Sequence, residues 1–332
     1  MDMKKRNARI TGIASYLPLK ILTNNDFEKM VDTSDEWITQ RTGIKERHIA
    51  ANGETTSDMG VKAVETLIQK YDLDPSTIDF VIVATMTPDV LSSSTAAIIQ
   101  DRIGAIKAAA MDVQAACSGF LYALSIAKAY IESGAYQKIL IVASEKISSI
   151  TDYTDRGTSI LFGDAASAIL VDSEGEGYEI EHICLGSDGS KSDLITIPAG
   201  GSRMPTTIET VKDSLHYLRL DGKEVFKHAV KRMASACIDC LEFLKISQKQ
   251  VSWLIPHQAN LRIIDAIAKK LDFPDEKIIK TISKYGNTSA SSLPLALEEL
   301  MLNHSVSQGE FVLLVAFGAG LTWGAGILKK NN

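Results

Sequence analysis

The sequence predicts an α/β fold made of two similar halves packed around a shared interface. Two observations lead to this prediction. Short apolar runs typical of buried strands alternate with segments of helical periodicity, and one constant offset aligns the second half of the chain with the first. A succession of strand, helix and strand is typical of parallel sheets that are covered by helices.

The predicted elements follow one another in a regular order. Apolar side chains recur at helical spacing in residues 58–71, 121–131, 224–244, 262–271 and 293–300. Runs rich in Val, Ile and Leu predict strands buried on both faces at residues 80–84, 139–143, 252–255 and 311–316. Further apolar runs open after Phe162 and after Phe317.

The internal repeat becomes visible at an offset of 173 positions. Residues 78–83 fall on residues 251–256, and residues 139–143 fall on residues 312–316. Because one offset serves strands and helices alike, a duplication explains the match better than chance does. The predicted N-terminal and C-terminal parts are residues 1–172 and residues 173–332.

A glycine-rich and proline-rich stretch begins the second part. Residues 173–215 contain six glycines and two prolines and lack a sustained hydrophobic period. This composition predicts a connection between the halves that also forms a flap over a site.

The overall composition is that of an ordinary globular protein. Of the 332 residues 45% are hydrophobic and 23% are charged, and the formal net charge is −6. These values exclude disordered, collagen-like and coiled-coil chains and disfavour a general nucleic-acid binder. Apolar stretches fall short of the ~20 residues of a membrane span, and residues 1–10 lack the apolar core of a signal peptide, so we expect a cytoplasmic protein.

The cysteines and histidines outside the candidate site give no support for a metal ion. The histidines show no His-x-x-x-His spacing. Cys237 and Cys240 match Val64 and Leu67 under the offset, so we expect them to face the core rather than to form a zinc or redox pair. Cys184 has no supporting context, and four cysteines are too few for a disulfide framework.

Three polar residues lie where the predicted strands end. Cys117 directly precedes a predicted helix, His257 follows a predicted strand, and Asn287 precedes another helix. In open α/β sheets, sites form at the carboxyl ends of strands. The offset equates Cys117 with Ala290, which lies beside Asn287, so we expect the two corners to meet.

The three residues together favour a nucleophilic site. A thiol at a helix N-terminus is shifted toward the thiolate, and a neighbouring histidine can share its proton. Each residue also has a simpler interpretation. Cys117 would be a small buried hydrophobe, His257 would bond to backbone, and Asn287 would support a turn after Gly286.

With these segments the chain resembles the β-ketoacyl-acyl-carrier-protein synthase III family of thiolase-fold condensing enzymes over nearly its whole length. The resemblance rests on the segments around the three polar residues, 115–120, 257–262 and 285–290, and on shorter motifs at 35–38, 41–44, 154–158, 162–164, 198–203 and 317–324. It implies a thiolase-like α/β fold with mixed sheets in an αβαβα arrangement, in which the first half carries Cys117 and the second carries His257 and Asn287.

The resemblance also implies a reaction that starts fatty acid biosynthesis without a cofactor. Cys117 would take an acyl group, with acetyl-CoA as the expected primer, and malonyl-acyl carrier protein would then lose CO2 and attack the acyl-cysteine. His257 and Asn287 would stabilise the thioester oxyanion of the malonyl group. Backbone N–H groups of Cys117 and Ala319 would form a second oxyanion hole, and Phe317 would keep the malonyl carboxylate poorly solvated.

Binding residues follow from the same resemblance. The CoA or phosphopantetheine tunnel would be lined by Trp37, Arg41, Arg156, Gly222, Phe226 and Asn260. Trp37 and Arg156 would stack on the two faces of the adenine. The acidic acyl carrier protein would contact Lys227, Arg262, Lys269 and Lys270, although a solvated helix face is the simpler interpretation of the last three.

The resemblance further implies a homodimer in which the partner completes the acyl pocket near residues 88–95. In that segment the chain has Ser92-Ser93 where many members have Phe-Pro, which leaves the chain length and branching of the primer open. Ala319 stands where some members have Gly.

Two other functions remain open from the sequence. A hydrolase of the Cys-His-Asn type has these residues in the same chain order, but its local signature around the cysteine is absent. A specialised-pathway enzyme of the same fold would transfer the acyl group to a different acceptor.

Overall fold

The computed structural model describes residues 6–331. Residues 1–5, part of the segment that lacks a signal-peptide core, lie outside the described residues, as does residue 332. The strands are β1 (Arg9–Tyr16), β2 (Lys20–Thr23), β3 (Glu46–Ile49), β4 (Phe80–Ala84), β5 (Ala109–Val113), β6 (Lys138–Glu145), β7 (Ala165–Asp172), β8 (Tyr178–Ser187), β9 (Ile195–Thr196), β10 (Arg219–Leu220), β11 (Val251–Pro256), β12 (Phe311–Gly318) and β13 (Thr322–Lys330). The helices are α1 (Asn24–Phe27), α2 (Asp35–Thr42), α3 (Thr56–Tyr71), α4 (Thr95–Arg102), α5 (Gly119–Glu132), α6 (Ile208–Lys212), α7 (Gly222–Leu244), α8 (Leu261–Lys270), α9 (Ile282–Tyr285) and α10 (Ser292–Asn303).

The duplication is visible in the strand order. Nine strands form one mixed sheet in the order β11-β12-β13-β8-β1-β7-β6-β4-β5. From the middle of the sheet outward, the strands of the first half follow the order β1-β7-β6-β4, and those of the second half follow the order β8-β13-β12-β11. The two series have the same parallel and antiparallel pairings. The counterpart of β5 is a single parallel bridge between Leu254 and Ile278. The predicted α/β fold of two duplicated halves is therefore confirmed, while the boundary at residue 172 stays a prediction.

The two halves share one sheet because β1 pairs with β8. The pairs Arg9–Glu179 and Ile10–Tyr178 make this connection. The expectation of a flap over residues 173–215 was therefore wrong for β8, which is the first strand of the second half. Buried residues alternate with partly exposed ones only at the start of β8. The strand therefore shows little periodicity of its own in the sequence, where glycines lie before and after it. Irregular chain begins after β8 and continues to the start of α7.

Helices divide the molecule into five layers. Leu124 of α5 and Leu297 of α10 share one core with inward-facing residues of both halves of the sheet, such as Ile141 and Leu314. Helices α3 and α4 cover the outer face of the first half, and α7 and α8 cover the outer face of the second. This is the αβαβα arrangement. Across residues 6–331, no helix has both the length and the apolar character needed to cross a bilayer.

Candidate active site

Cys117 lies in a 3-10 turn, Ala116–Ser118, that leads directly into α5. The turn is sharp because Ala116 has a left-handed φ of 45°. The end of β12 packs against it so closely that a Cβ on Gly318 would lie 2.7 Å from the backbone nitrogen of Cys117. Only glycine permits this approach, which brings the following residue, Ala319, beside Cys117.

Burial raises the pKa of the Cys117 thiol to about 12, while the neighbouring Ser289 side chain lowers it. The start of α5 acts in the same lowering direction as Ser289. The position at a helix N-terminus predicts a thiolate. The structure instead favours the thiol at neutral pH, because the loss of hydration destabilises the thiolate more than these two contacts stabilise it.

Asn287 lies at the corresponding corner of the second half. Gly286 before it has φ 64° and ψ −156°, a conformation that is essentially restricted to glycine. The Asn287 backbone N–H donates to the Leu161 carbonyl at 2.9 Å, and its side-chain Oδ1 accepts from the Ser289 N–H at 2.9 Å. Because Oδ1 is held in this way, the amide Nδ2 is left to face the cavity.

The two corners meet, as the offset predicts. A Cβ on Gly119 would lie 3.6 Å from the Cβ of Ala290. The hydroxyl of Ser291 donates to the carbonyls of Ala143 and Ala165 at 2.8 and 2.9 Å, which ties the second corner to strands of the first half. The left-handed φ of Ser289, 53°, matches that of Ala116 173 positions earlier.

His257 follows β11 and is buried. Its backbone N–H donates to the Val315 carbonyl at 2.7 Å, and its Nδ1 lies 2.5 Å from the Ser292 hydroxyl. Burial lowers the pKa of His257 to about 3, so the imidazole is neutral at neutral pH. If Ser292 donates to Nδ1, the proton is on Nε2, which can then donate to a ligand.

One cavity joins these residues. Its volume is about 810 Å³, and Cys117, His257 and Asn287 all line it. The other predicted residues that line it are Phe317, Ala319, Trp37, Arg41, Gly222, Phe226, Asn260, Lys227 and Arg262. The predicted residues that do not line it are Arg156, Lys269 and Lys270.

Helix N-termini form part of the cavity wall. Asp221 caps α7 by accepting from the N–H groups of Lys223 and Glu224, both at 3.2 Å. Asn260 caps α8 by accepting from the N–H of Arg262 at 2.9 Å. Both helix starts therefore place positive dipole ends and basic side chains at the cavity, which suits an anionic ligand.

Arg156 does not lie across a gap from Trp37, as the predicted adenine sandwich requires. Its guanidinium lies on the Trp37 ring itself, 4.9 Å from the ring centroid, and donates to the Asp32 carbonyl at 2.9 Å. An adenine can enter between the two only if Arg156 moves away from the ring. Cation–π attraction holds the pair in this closed form.

Two residues next to Cys117 were missed from the sequence. Ser289 lines the cavity, and its hydroxyl lies 2.9 Å from the buried carboxyl of Glu145. No sequence pattern indicated that Glu145, at the end of a strand, is near Cys117. Among the other cysteines, Cys237 and Cys240 are buried as predicted, and the Cys184 sulfur lies 3.0 Å from that of Cys240.

Known proteins are similar to this chain in both fold and sequence. The profile of the family 3-oxoacyl-[acyl-carrier-protein (ACP)] synthase III matches residues 111–189, and the profile of its C-terminal part matches residues 241–330. The β-ketoacyl-[acyl-carrier-protein] synthase III of Chlamydia caviae is 52% identical over 332 residues, which cover 99% of each chain. The crystal structure of 3-oxoacyl-[acyl-carrier-protein] synthase III from Aquifex aeolicus VF5 has a TM-score of 0.89 at 42% identity, covering 97% of this chain and 99% of that chain. The priming β-ketosynthase from the R1128 polyketide biosynthetic pathway has a TM-score of 0.90 at 34% identity, covering 100% of this chain and 99% of that chain.

Proposed function

This chain belongs to the β-ketoacyl-[acyl-carrier-protein] synthase III family, and we propose that its cavity joins an acyl-CoA primer to malonyl-acyl carrier protein with loss of CO2. Membership confirms the resemblance, the thiolase fold and the acyltransferase class. The observation that carries the proposal is that Cys117, His257 and Asn287, which come from both halves of the chain, line one cavity.

In the first stage Cys117 attacks the thioester carbon of the acyl-CoA. The negative oxygen that forms is stabilised by the backbone N–H groups of Cys117 and Ala319. Gly318 supports this arrangement, since it lets the end of β12 approach the nucleophile turn. Ala319 is not among the residues with positive φ, so an alanine is accepted there without left-handed strain.

In the second stage the malonyl thioester loses CO2, and its carbanion attacks the acyl group on Cys117. The developing thioester oxyanion accepts hydrogen bonds from Nε2–H of His257 and Nδ2–H of Asn287. Each aimed donor of this kind contributes about 3 kcal/mol to the transition state. Phe317, which is buried beside them, keeps water from the malonyl carboxylate and favours its loss as CO2.

The cavity walls suit the pantetheine arm and its phosphates. The α7 and α8 N-termini, with Lys227 and Arg262 exposed beside them, attract phosphate and the acidic surface of the carrier protein. Lys269 and Lys270 lie at the other end of α8, roughly 10–12 Å along the helix from Arg262, and would extend the same surface.

We also propose a cytoplasmic homodimer that pairs along the free edge of the sheet. β5 is the last strand, and an open strand edge is a surface for pairing with another chain. Nearby, Leu91 is 91% exposed and Val90 is 50% exposed. A partner that covers this segment would place its residues 88–95 against the acyl pocket, where Ser92 and Ser93 leave room for the primer.

A second candidate function is priming of a specialised pathway. It is favoured by the similarity to the R1128 priming β-ketosynthase, which covers the whole chain. Cys117 would be acylated in the same way, but the acyl group would pass to a different acceptor.

Intact-protein mass spectrometry tests these proposals together. The protein is exposed to a panel of acyl-CoAs, the mass increase is located, and malonyl-acyl carrier protein is then added. We expect acetyl-CoA to add one acetyl group to Cys117, and malonyl-acyl carrier protein to remove it as a β-ketoacyl product. Acylation of the Cys117→Ala variant to the same extent would refute the assignment, and an acyl-Cys117 that malonyl-acyl carrier protein leaves in place would favour the specialised pathway.

A further inference from the structure

Glu145, the last residue of β6, is a fully buried carboxyl with four hydrogen-bond donors. Its Oε2 accepts from the Thr85 hydroxyl at 3.2 Å, the Met86 N–H at 3.1 Å and the Thr87 hydroxyl at 2.9 Å. Its Oε1 accepts from the Ser289 hydroxyl at 2.9 Å. Within residues 6–331 no Lys or Arg pairs with it, so its charge is stabilised by dipoles alone.

Ser289 connects this carboxyl to the nucleophile. Its hydroxyl donates its proton to Glu145 Oε1 at 2.9 Å, so toward Cys117, which lines the same cavity, it presents an oxygen that can accept the thiol proton. The residue adopts a left-handed φ of 53°, a conformation that is strained for a residue other than glycine and tends to persist where it serves function. The conformation places the serine hydroxyl between the thiol and the carboxyl.

We propose that Ser289 and Glu145 form a relay that accepts the thiol proton of Cys117 during acylation, an inference that rests on the proposed function. As the sulfur bonds to the acyl carbon, its proton passes to Ser289 Oγ, and the serine proton passes to Glu145 Oε1. The carbon–sulfur bond to CoA breaks, and the CoA thiolate leaves and takes a proton from solvent. After condensation the expelled Cys117 thiolate takes back the proton held on Glu145, so the enzyme returns to its starting state.

The chemistry of the neighbouring groups supports Glu145 as the acceptor. Burial raises the pKa of Glu145 to about 7, which is the range in which a general base is effective. The pKa of the Cys117 thiol is far higher, so the proton leaves as the new bond forms rather than beforehand. His257 is a much weaker base, since burial lowers its pKa to about 3.

Other ionisable groups near this relay have their own partners. On the turn before α5, Cys117 is the group that faces Glu145. Lys146 follows Glu145 in the chain, but its ammonium donates to the Glu54 carbonyl. Asp164, directly before β7, accepts from the N–H groups of Ala50 and Ser148, both at 2.8 Å. The thiol is therefore the proton source that the geometry connects to Glu145.

The test compares three single variants in one acylation assay. Glu145→Gln keeps the shape and an acceptor oxygen but cannot take a proton, and Ser289→Ala removes the connecting hydroxyl. Ser291→Ala is the matched control, because it removes a buried hydroxyl from the same turn that donates only to the carbonyls of Ala143 and Ala165. Rapid quenching and intact-protein mass spectrometry give the rate constant of acetylation by acetyl-CoA from pH 5.5 to 9.

We expect Glu145→Gln and Ser289→Ala each to slow acetylation by about 100-fold or more, the usual contribution of a general base. Ser291→Ala should remain close to the parent rate. The parent rate should rise with pH through an inflection near 7, which Glu145→Gln should lose. Because the two residues act in series, the double variant should be no slower than the slower single variant.

Acetylation of Glu145→Gln at the parent rate with the parent pH profile would overturn the relay. The relay is equally overturned if Ser291→Ala slows acetylation as much as Ser289→Ala does, since a structural effect would then explain both losses. If Glu145→Gln does not fold, Ser289→Ala and its control decide the question. Failure of the parent protein to acylate Cys117 at all would instead refute the proposed function.

Discussion

The Asn287→Asp substitution tests the proposed oxyanion site of His257 and Asn287 by exchanging one side-chain nitrogen for an oxygen. The two side chains have nearly the same shape, and the Ser289 N–H that donates to Oδ1 at 2.9 Å can hold either one in place. That hydrogen bond also favours the ionised carboxylate. The substitution therefore replaces an N–H donor at the cavity with a negative oxygen while the backbone stays as it is.

The expected loss has two parts. Removing one aimed donor costs about 3 kcal/mol. A unit charge at about 4 Å from the forming oxyanion adds about 4 kcal/mol of repulsion at an effective dielectric constant near 20. Together they correspond to a roughly 10⁵-fold slower decarboxylation. Asn287→Ala loses only the first part and should be slower by roughly 100-fold.

The assay measures CO2 release from malonyl-acyl carrier protein and, separately, acetylation of Cys117 by acetyl-CoA. We expect both variants to be acetylated, because the oxyanion of that step is stabilised by the backbone N–H groups of Cys117 and Ala319. Thermal unfolding of each variant controls for damage to the fold. The reasoning would be refuted if Asn287→Asp released CO2 as fast as Asn287→Ala, since the charge would then not face the oxyanion.

Three further predictions concern the turn, the buried imidazole and the basic surface. Gly318→Ala places a Cβ 2.7 Å from the nucleophile's backbone nitrogen, so acetylation should slow and the melting temperature should fall; parent-like values of both would contradict the close packing. Because the pKa of His257 is lowered to about 3, the unfolded chain binds an extra proton between about pH 6.5 and 3, and the free energy of unfolding should fall by up to about 1.4 kcal/mol per unit as pH decreases. Measured by urea unfolding from pH 4 to 7, the free energy of unfolding should change less steeply with pH for His257→Gln than for the parent protein. The exposed His304→Gln control should keep the parent's dependence on pH; the same dependence for both variants would exclude this linkage. Arg262→Glu should raise KM for malonyl-acyl carrier protein more than Lys270→Glu does, and the reverse order would move the docking surface away from the α8 N-terminus.

Much of the architecture follows from local sequence patterns. The helices α3 and α7 and the strands β4, β6, β11 and β12 lie where the apolar periodicity predicts them, because these elements bury whole faces or stripes of side chains. β8 was missed because only its first residues alternate between buried and partly exposed positions. A strand held by its neighbours on both sides needs little of its own periodicity.

The sequence by itself predicted three polar residues for the site and showed which corners are equivalent, since strand ends, helix starts and the repeat offset can all be recognised along the chain. Only the tertiary structure decided the protonation of those residues and the neighbours they have. Glu145 and Ser289 are 144 positions apart yet share a hydrogen bond, and burial, rather than residue type, sets the pKa of Cys117, Glu145 and His257. Desolvation depends on everything packed around a group, and no short stretch of sequence contains that information.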